Sequence, residues 1–216
     1  MQDEIINQAL EYVKKIFEND FSGHDYFHTL RVFKMATHIA TEEKANLEIV
    51  QLAALLHDVD DIKLSPQTHA QKINARRFLA ANNFPETTIC NICQIIDEVS
   101  YLGNDSVTPK TLEGKCVQDA DRLDAIGAVG IARAFAYGGN KGRKMYDPNI
   151  KPMTNMNKEQ YRQNDNSTTI NHFYEKLLLL KDMMNTETAK KIAERRHAFM
   201  QTYLDEFLAE WNNEKL

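Results

Sequence analysis

The sequence predicts an all-α fold, a helical bundle of about eight helices, and three observations support this. Apolar residues recur three and four positions apart from the start of the chain, as at Ile6, Leu10 and Val13. The same period continues through most of the 216 residues. No stretch shows the alternation of apolar and polar residues that is typical of a strand. The sequence therefore favours an architecture of helices packed on helices.

The periodicity places the helices in chain order, and the turn residues agree with their limits. After a first helix that contains residues 6–17, we expect helices over 26–44, 47–57, 67–82, 86–101, 110–137, 167–184 and 187–212. Ser65-Pro66 and Thr108-Pro109 place a capping residue before a proline, and Gly103 follows a predicted helix end. The glycine-rich stretch 138–166 is predicted to be a mobile loop, and a loop of that length is usually functional.

The composition is that of a single globular domain spanning 1–216. Hydrophobic residues make up 43% and charged residues 26% of the chain, and the longest apolar runs, such as 177–180, are far shorter than a membrane span. The acidic start Asp3-Glu4 is unlike a signal peptide, so we expect a cytoplasmic protein with no membrane partner. A net charge of −5 disfavours non-specific nucleic-acid binding, and the sequence leaves the oligomeric state open.

Two histidines are predicted to point into the core. His28 lies on a helix face whose other residues are apolar: Val32, Met35, Ala36 and Ile39. His57 closes the run 52–56, which is apolar on all sides and therefore indicates a buried helix. Asp58 follows directly, near the predicted helix end. The sequence thus brings a carboxylate next to a buried imidazole.

Asp121 is a second carboxylate predicted to face the core. Its neighbours on the same helix face are small and apolar: Val117, Ala125, Ala128 and Ala132. Because an unpaired charge is costly to bury, two imidazoles and two carboxylates satisfy one another most simply by sharing a cation. We therefore expect one divalent metal ion, held by His28, His57, Asp58 and Asp121. This mixed nitrogen and oxygen set suits Mn²⁺ best, with Fe²⁺, Co²⁺, Ni²⁺ or Mg²⁺ as alternatives.

Three blocks of the sequence resemble the HD-domain metal-dependent phosphohydrolases. The blocks are Gly23-His24-Asp25-Tyr26-Phe27-His28, Ala53-Ala54-Leu55-Leu56-His57-Asp58 and Gln118-Asp119-Ala120-Asp121-Arg122-Leu123-Asp124-Ala125-Ile126-Gly127. Together they cover 23–127 and follow the family order of a histidine, a His-Asp pair and a distant aspartate. The resemblance implies a single helical domain of the HD type with those four metal ligands. The loop 138–166 and the C-terminal helices 167–212 resemble a subgroup similar to nucleotide pyrophosphohydrolases.

The resemblance also implies roles for groups beside the metal ligands. Asp61 lies four residues past the histidine of the His-Asp pair, where related nucleotide hydrolases carry an acidic catalytic residue; a solvated turn is the alternative. Asp124 shares the helix face of Asp121 and is expected to orient a ligand histidine or the bound water, with a local surface charge as the alternative. His24 is expected to line the pocket, unless it serves as a cap or lies at the surface.

A substrate phosphate chain needs positive charge and amide donors near the metal. Basic residues follow the His-Asp pair and occupy the glycine-rich loop, and the candidates for substrate binding are Lys63, Lys72, Arg76, Lys141, Arg143 and Lys144. A solvated surface charge is the alternative for each of them. The loop sequence 138–142 is not a Walker A motif, so an ATPase of that kind is not indicated.

The resemblance implies that metal-activated water hydrolyses a small-molecule nucleotide. Release of pyrophosphate from nucleoside or deoxynucleoside triphosphates is the preferred form of this hypothesis. Phosphatase action on nucleoside monophosphates is the runner-up, and a non-catalytic nucleotide-binding sensor is the third possibility. Only His69 lies between Asp58 and Asp121, which favours one metal over the two metals held by oxygen-activating relatives. The sequence leaves base and sugar preference open.

Overall fold

The computed structural model describes residues 2–18, 25–62, 64–164 and 167–214. These residues form ten α-helices and two short 3₁₀ helices, and none of them forms a strand. The prediction of an all-α fold is confirmed, and the helix number is close to the expected eight. The chain divides into two compact units: Met1–Tyr101 with Ser106–Asp121, and Leu102–Asp105 with Arg122–Leu216. The single-domain organisation stays a prediction.

The first unit is built around α3, a helix that is largely buried. Its residues 52–56 are fully buried, and it packs against α1, α2 and α5. The helices of this unit are α1 (Gln2–Ile16), α2 (Tyr26–Glu43), α3 (Leu47–Leu56), α4 (Ile73–Ala81), α5 (Glu86–Val99) and most of α6 (Leu112–Asp124). The mostly apolar sequence of α3, in which Glu48 and Gln51 are the polar residues, explains this position, because a helix face without polar groups is stabilised by burial.

The predicted helix 67–82 is interrupted in the structure. A 3₁₀ helix, His69–Gln71, precedes α4, and Lys72 between them has a left-handed backbone with φ of 51°. A side chain is strained in that region, so an α-helix cannot continue through it. The periodicity alone gave no sign of this break.

The predicted helix 110–137 is two helices, α6 and α7 (Gly127–Asn140). Ile126 is extended and Gly127 has φ of 79°, where the side chain of Arg196 lies against the position that a Cβ would occupy. The apolar stripe expected beside Asp121 was therefore wrong in part. Ala128 and Ala132 belong to the next helix and are exposed.

The second unit consists of α7 and the elements that follow it: α8 (Lys158–Arg162), α9 (Thr169–Glu175), the 3₁₀ helix Leu177–Met183 and α10 (Glu187–Trp211). The helix α10 packs against α7 and this 3₁₀ helix. The stretch 138–166 contains the end of α7 and all of α8. Its backbone is held by α9, since Asn171 Nδ2 donates to Ile150 O at 2.8 Å and Met153 N donates to Glu175 Oε1 at 3.1 Å.

The described helices include no candidate membrane span. None of those in residues 2–18, 25–62, 64–164 and 167–214 combines the length and the hydropathy that crossing a bilayer requires.

Candidate metal centre

His28 is placed by the start of α2. Asp25 caps this helix, because its Oδ1 accepts a hydrogen bond from His28 N at 2.8 Å. The capping carboxylate fixes the first turn, and the imidazole of His28 is fully buried in the interior of the first unit. The expectation that His28 points inward agrees with this burial.

The His-Asp pair lies at the end of α3. His57 is the C-cap residue, and its Nδ1 donates to Ala54 O at 2.8 Å, which leaves Nε2 as the basic nitrogen. His57 and Asp58 are both buried, with 7% and 8% of their surface exposed. The carboxyl end of a helix carries partial negative charge, so this position favours a bound cation.

Four ligand atoms converge in the first unit. Nε2 of His28 lies 3.4 Å from both Asp58 Oδ2 and Asp121 Oδ1, and Nε2 of His57 lies 3.1 Å and 4.0 Å from the same oxygens. The ligand atoms of His28, His57 and Asp58 all lie within 4.8 Å of one another. Asp121 belongs to the last part of α6 and adds the fourth group. Sequence reasoning named these four residues, and the structure brings them together.

The electrostatics of the four groups reflect their crowding. Burial lowers the pKa of His57, but Asp58 and Asp121 raise it by more, so the pKa lies above its usual value. Burial raises the pKa of Asp121, but hydrogen bonding and charge interaction with His28 outweigh this and lower it to about 2. The carboxylate of Asp121 is therefore ionised at neutral pH and available as a ligand.

The arrangement fits a divalent cation. Within the described part of the chain, His57 Nε2 is buried and makes no hydrogen bond, which is costly unless another group meets it. Two imidazole nitrogens and two carboxylate oxygens suit a first-row divalent ion and leave positions for other ligands. Those residues, His28, His57, Asp58 and Asp121, could hold the ion.

Comparison with known proteins agrees with this geometry. Residues 25–126 match the family model described as the HD domain, and the chain is 40% identical over 199 residues to Bacillus subtilis YpgQ, covering 91% of this chain and 89% of YpgQ. The chain belongs to the HD-domain family. The region matched by the family model includes all four residues of the candidate centre.

Solved structures of similar proteins extend over nearly the whole chain. A Lactobacillus plantarum protein has a TM-score of 0.87 and 43% identity, covering 97% of this chain and 98% of its own. An HD-superfamily hydrolase from Bacillus thuringiensis has a TM-score of 0.77 and 44% identity, covering 98% and 99%. Bacillus subtilis YpgQ in complex with ADP has a TM-score of 0.77 and 36% identity, covering 97% and 95%.

The two aspartates after the His-Asp pair have different surroundings. Asp60 is buried, and its carboxylate accepts hydrogen bonds from Asn74 N at 3.1 Å and Ala75 N at 3.0 Å, so it caps α4. Asp61 is half-buried and follows in the turn, where its carbonyl accepts from Ser65 N at 2.7 Å. Of these two, Asp61 keeps the exposure that a group acting on substrate needs.

Of the remaining predicted site residues, Asp124 has a basic partner in its own unit, and two lie outside the described ranges. The carboxylate of Asp124 pairs with Arg133 at 2.7 Å within the second unit, and the tautomer of His57 is set by the carbonyl of Ala54. His24 and Lys63 lie outside the described residues.

The other predicted substrate-binding residues occupy two regions. In the first unit, Lys72 pairs with Asp97 at 2.5 Å, and Arg76 pairs with Glu86 at 2.8 Å. In the second unit, Lys141 and Lys144 are exposed, Arg143 is half-buried, and Lys144 pairs with Asp147 at 2.8 Å. Lys72, Arg76 and Lys144 are thus paired with carboxylates, and Lys141 approaches the ring of Tyr137, at 5.9 Å from its centroid.

Sequence reasoning missed the part of His69 in holding the turn after the metal ligands. Nδ1 of His69 donates to Asp60 O at 2.8 Å, and Asp60 caps α4 from thirteen residues upstream of its first residue. A capping aspartate normally stands directly before its helix, so this long-range pairing leaves no local pattern in the sequence.

Proposed function

We propose that this HD-domain protein is a metal-dependent phosphohydrolase that acts on nucleotides and releases pyrophosphate from nucleoside triphosphates. The observation that carries the proposal is the convergence of His28, His57, Asp58 and Asp121 on one point in the first unit. A set of two imidazoles and two carboxylates is the donor chemistry of a catalytic first-row metal site. We propose Mn²⁺ as the ion.

A divalent ion bound there supplies Lewis acidity, which lowers the pKa of a water molecule and polarises a phosphoryl oxygen. The protein's own contribution is to hold the ligands rigid. Ala54 O fixes the ring of His57 through Nδ1, and Asp25 fixes the helix turn that carries His28. Pre-orientation of this kind raises both metal affinity and rate.

Asp61 is the proposed acid or base. It is half-buried, three residues past the ligand Asp58, in a turn closed by the hydrogen bond from Asp61 N to Asp58 O at 3.0 Å. That short connection keeps its carboxylate near the end of α3. A carboxylate there can take a proton from the attacking water and, once protonated, deliver it to the leaving pyrophosphate.

A nucleotide as substrate is supported by the related chain that has been solved with one. YpgQ, 36% identical across 97% of this chain in the structural comparison, was crystallised in complex with ADP, and the Bacillus thuringiensis relative is described as a hydrolase. We extend both properties to this chain as part of the proposal. A small-molecule nucleotide needs cationic partners for its phosphates, and we retain Lys72, Arg76, Lys141, Arg143 and Lys144 as candidates.

Product analysis tests the proposal directly. The Mn²⁺-loaded protein is incubated with nucleoside mono-, di- and triphosphates, and the products are identified by phosphorus NMR. We expect pyrophosphate and a nucleoside monophosphate from the triphosphates. Asp121→Asn should produce neither, while Asp205→Asn, an exposed aspartate on α10, should behave as wild type and serves as the matched control.

Two results would replace the proposal by its alternatives. Inorganic phosphate released from monophosphates, with the triphosphates left intact, would make the protein a nucleotidase. A metal-loaded protein that binds nucleotides but turns none over would make it a sensor.

A further inference from the structure

A cavity of about 630 Å³ lies between α4 and α5 in the first unit, which we call the α4–α5 cavity. None of the four metal-centre residues, all of them described, lines it. Three cations do so, Lys72, Arg76 and Arg77, and Asp97 is the one acidic group among its described lining residues. A protein with a net charge of −5 therefore has an excess of positive charge in this cavity. Its volume is within the range of small-molecule sites.

Lys72 is the buried member of the three. Only 5% of its surface is exposed, and its Nζ donates to His69 O at 2.7 Å and lies 2.5 Å from Asp97 Oδ1. Its backbone has a left-handed φ of 51°. Burying an ammonium gives no stability advantage over burying an apolar side chain of the same length. The charge at this position is therefore better explained by a ligand than by folding.

The partner of Lys72 can be displaced. The side chain of Asp97 is 62% exposed, whereas that of Lys72 is 6% exposed, so the pair opens to water on the carboxylate side only. An anion entering from solvent can take the place of the Asp97 carboxylate without removing Lys72 from its position. Phosphate oxygens suit such a pocket because they accept several charge-assisted hydrogen bonds at once.

The two arginines provide further charge at the solvent side. Arg76 pairs with Glu86, but the two side chains are 40% and 71% exposed. An ion pair that is this exposed to solvent is weak. Arg77 is exposed and forms no ion pair with any residue of the described ranges. Guanidinium groups match two phosphate oxygens with two parallel donors.

Cys93 contributes no opposing charge to the lining. Burial raises the pKa of its thiol to about 11, so the thiol is neutral at pH 7. Among the described lining residues, Asp97 is therefore the one group that reduces the positive charge of the cavity, and it is the group that an anion would displace.

We propose that the α4–α5 cavity binds a phosphate-bearing small anion through the buried ammonium of Lys72 and the guanidinium groups of Arg76 and Arg77. The proposal does not depend on hydrolysis, because it concerns binding at residues that do not hold the metal. The anion has two sources of the same chemistry: the phosphate chain of a nucleotide, or a free phosphate or pyrophosphate ion.

Calorimetric titration of the metal-free, full-length protein with inorganic pyrophosphate tests the proposal. At low ionic strength we expect one saturable binding event per chain. Lys72→Met keeps the length of the side chain and removes its charge, so binding should weaken about 10-fold or more. Lys34→Met removes an exposed lysine of α2 and should leave binding unchanged as the matched control.

Asp97→Asn gives the most informative result, because it should tighten pyrophosphate binding, whereas Lys72→Met should weaken it. Removal of the competing carboxylate should tighten pyrophosphate binding about 3-fold or more, an outcome that loss of a merely structural ion pair does not produce. Arg77→Gln, at an exposed position that folding does not need, should weaken binding about 3-fold and covers the case in which Lys72→Met fails to fold.

Parallel titration with ADP distinguishes the two sources. Equal weakening of ADP and pyrophosphate by Lys72→Met assigns the cavity to the phosphates of a nucleotide, and weakening of pyrophosphate alone assigns it to a free anion. The proposal is overturned if the wild-type protein shows no saturable pyrophosphate binding below about 10 mM. Most specific sites have dissociation constants below this concentration. The proposal is equally overturned by unchanged binding in Lys72→Met and Arg77→Gln, or by weaker binding in Asp97→Asn.

Discussion

Both units of the chain bury polar side chains, but the two units differ in whether these side chains have hydrogen-bond partners within the protein. In the second unit, the carboxylate of Glu175 accepts hydrogen bonds from Ser167 Oγ at 2.7 Å and Met153 N at 3.1 Å, and Asn171 donates to Ile150 O at 2.8 Å. We call Ser167, Asn171 and Glu175 the Glu175 cluster. In the metal centre of the first unit, ligand atoms instead face one another across 3.1 to 4.0 Å.

This difference separates a structural use of buried polarity from a binding use. Each polar atom of the Glu175 cluster that is described above has a protein partner, so the cluster completes the fold and holds the backbone at Ile150 and Met153. His57 Nε2 is buried and, among the described residues, makes no hydrogen bond. A cation from outside the chain would complete its environment. The same burial therefore has two meanings, and the hydrogen-bond partners decide between them.

His57→Ala should have the largest effect, because it removes a metal ligand. We expect bound Mn²⁺ to fall from one ion per chain to a trace, and activity to fall about 10³-fold or more, the scale of losing a Lewis acid. Addition of Mn²⁺ to about 100 times its dissociation constant should raise the melting temperature of the wild type by roughly 5 °C and that of the variant hardly at all. Metal analysis and thermal melting check this.

His38→Ala is the matched control, since His38 is an exposed histidine of α2. It should keep the metal, the activity and the Mn²⁺-dependent melting shift. Retention of one tightly bound ion in His57→Ala would show that His57 does not hold the metal and would contradict the proposed centre.

Asp61→Asn should have the next largest effect and should affect turnover alone. The amide keeps the shape of the turn but cannot exchange a proton, so we expect kcat to fall about 10²-fold with Mn²⁺ content unchanged. Steady-state kinetics and metal analysis on the same preparation check both halves. A wild-type kcat in this variant would mean that Asp61 has only a structural role in the turn, just as Asp60 has a structural role as a helix cap.

Glu175→Ala tests the structural side of the comparison. Ser167 Oγ and Met153 N lose their buried acceptor, so we expect the free energy of unfolding to fall by about 2 kcal/mol in urea denaturation. Mn²⁺ content should stay at one ion per chain. Glu175→Gln should lose less, because its amide oxygen still accepts one of the two hydrogen bonds. A loss of metal together with unchanged stability would reverse the roles assigned to the two regions.

The sequence predicted the helices and the four side chains that converge in the first unit, because both depend on local patterns. Apolar spacing reveals a helix, and His57 is placed by the wholly apolar run before it. The breaks at Lys72 and Gly127 were missed, because a left-handed residue inside an apolar pattern is a backbone event that periodicity does not record. The contacts of Asp60 with Asn74 and of Asp124 with Arg133 were not predicted, since tertiary packing brings these partners together, and the expected role of Asp124 beside the metal stays a prediction.

Lys141→Ala should give the smallest effect and tests whether the second unit contributes charge to substrate binding. Lys141 is exposed and approaches only the ring of Tyr137, so its ammonium is free to meet a phosphate. An exposed charge contributes little, and we expect KM for triphosphates to rise about 3-fold, with KM for monophosphates and kcat unchanged.

Lys144→Ala is the matched comparison for that variant. Its ammonium already pairs with Asp147 at 2.8 Å, so its removal should change KM for triphosphates less than removal of Lys141. The increase for Lys141→Ala should also shrink as salt is added, because exposed charges are screened within about 10 Å at 0.1 M ionic strength. Equal effects on mono- and triphosphates would mean that the loop senses the nucleoside or the fold rather than the length of the phosphate chain.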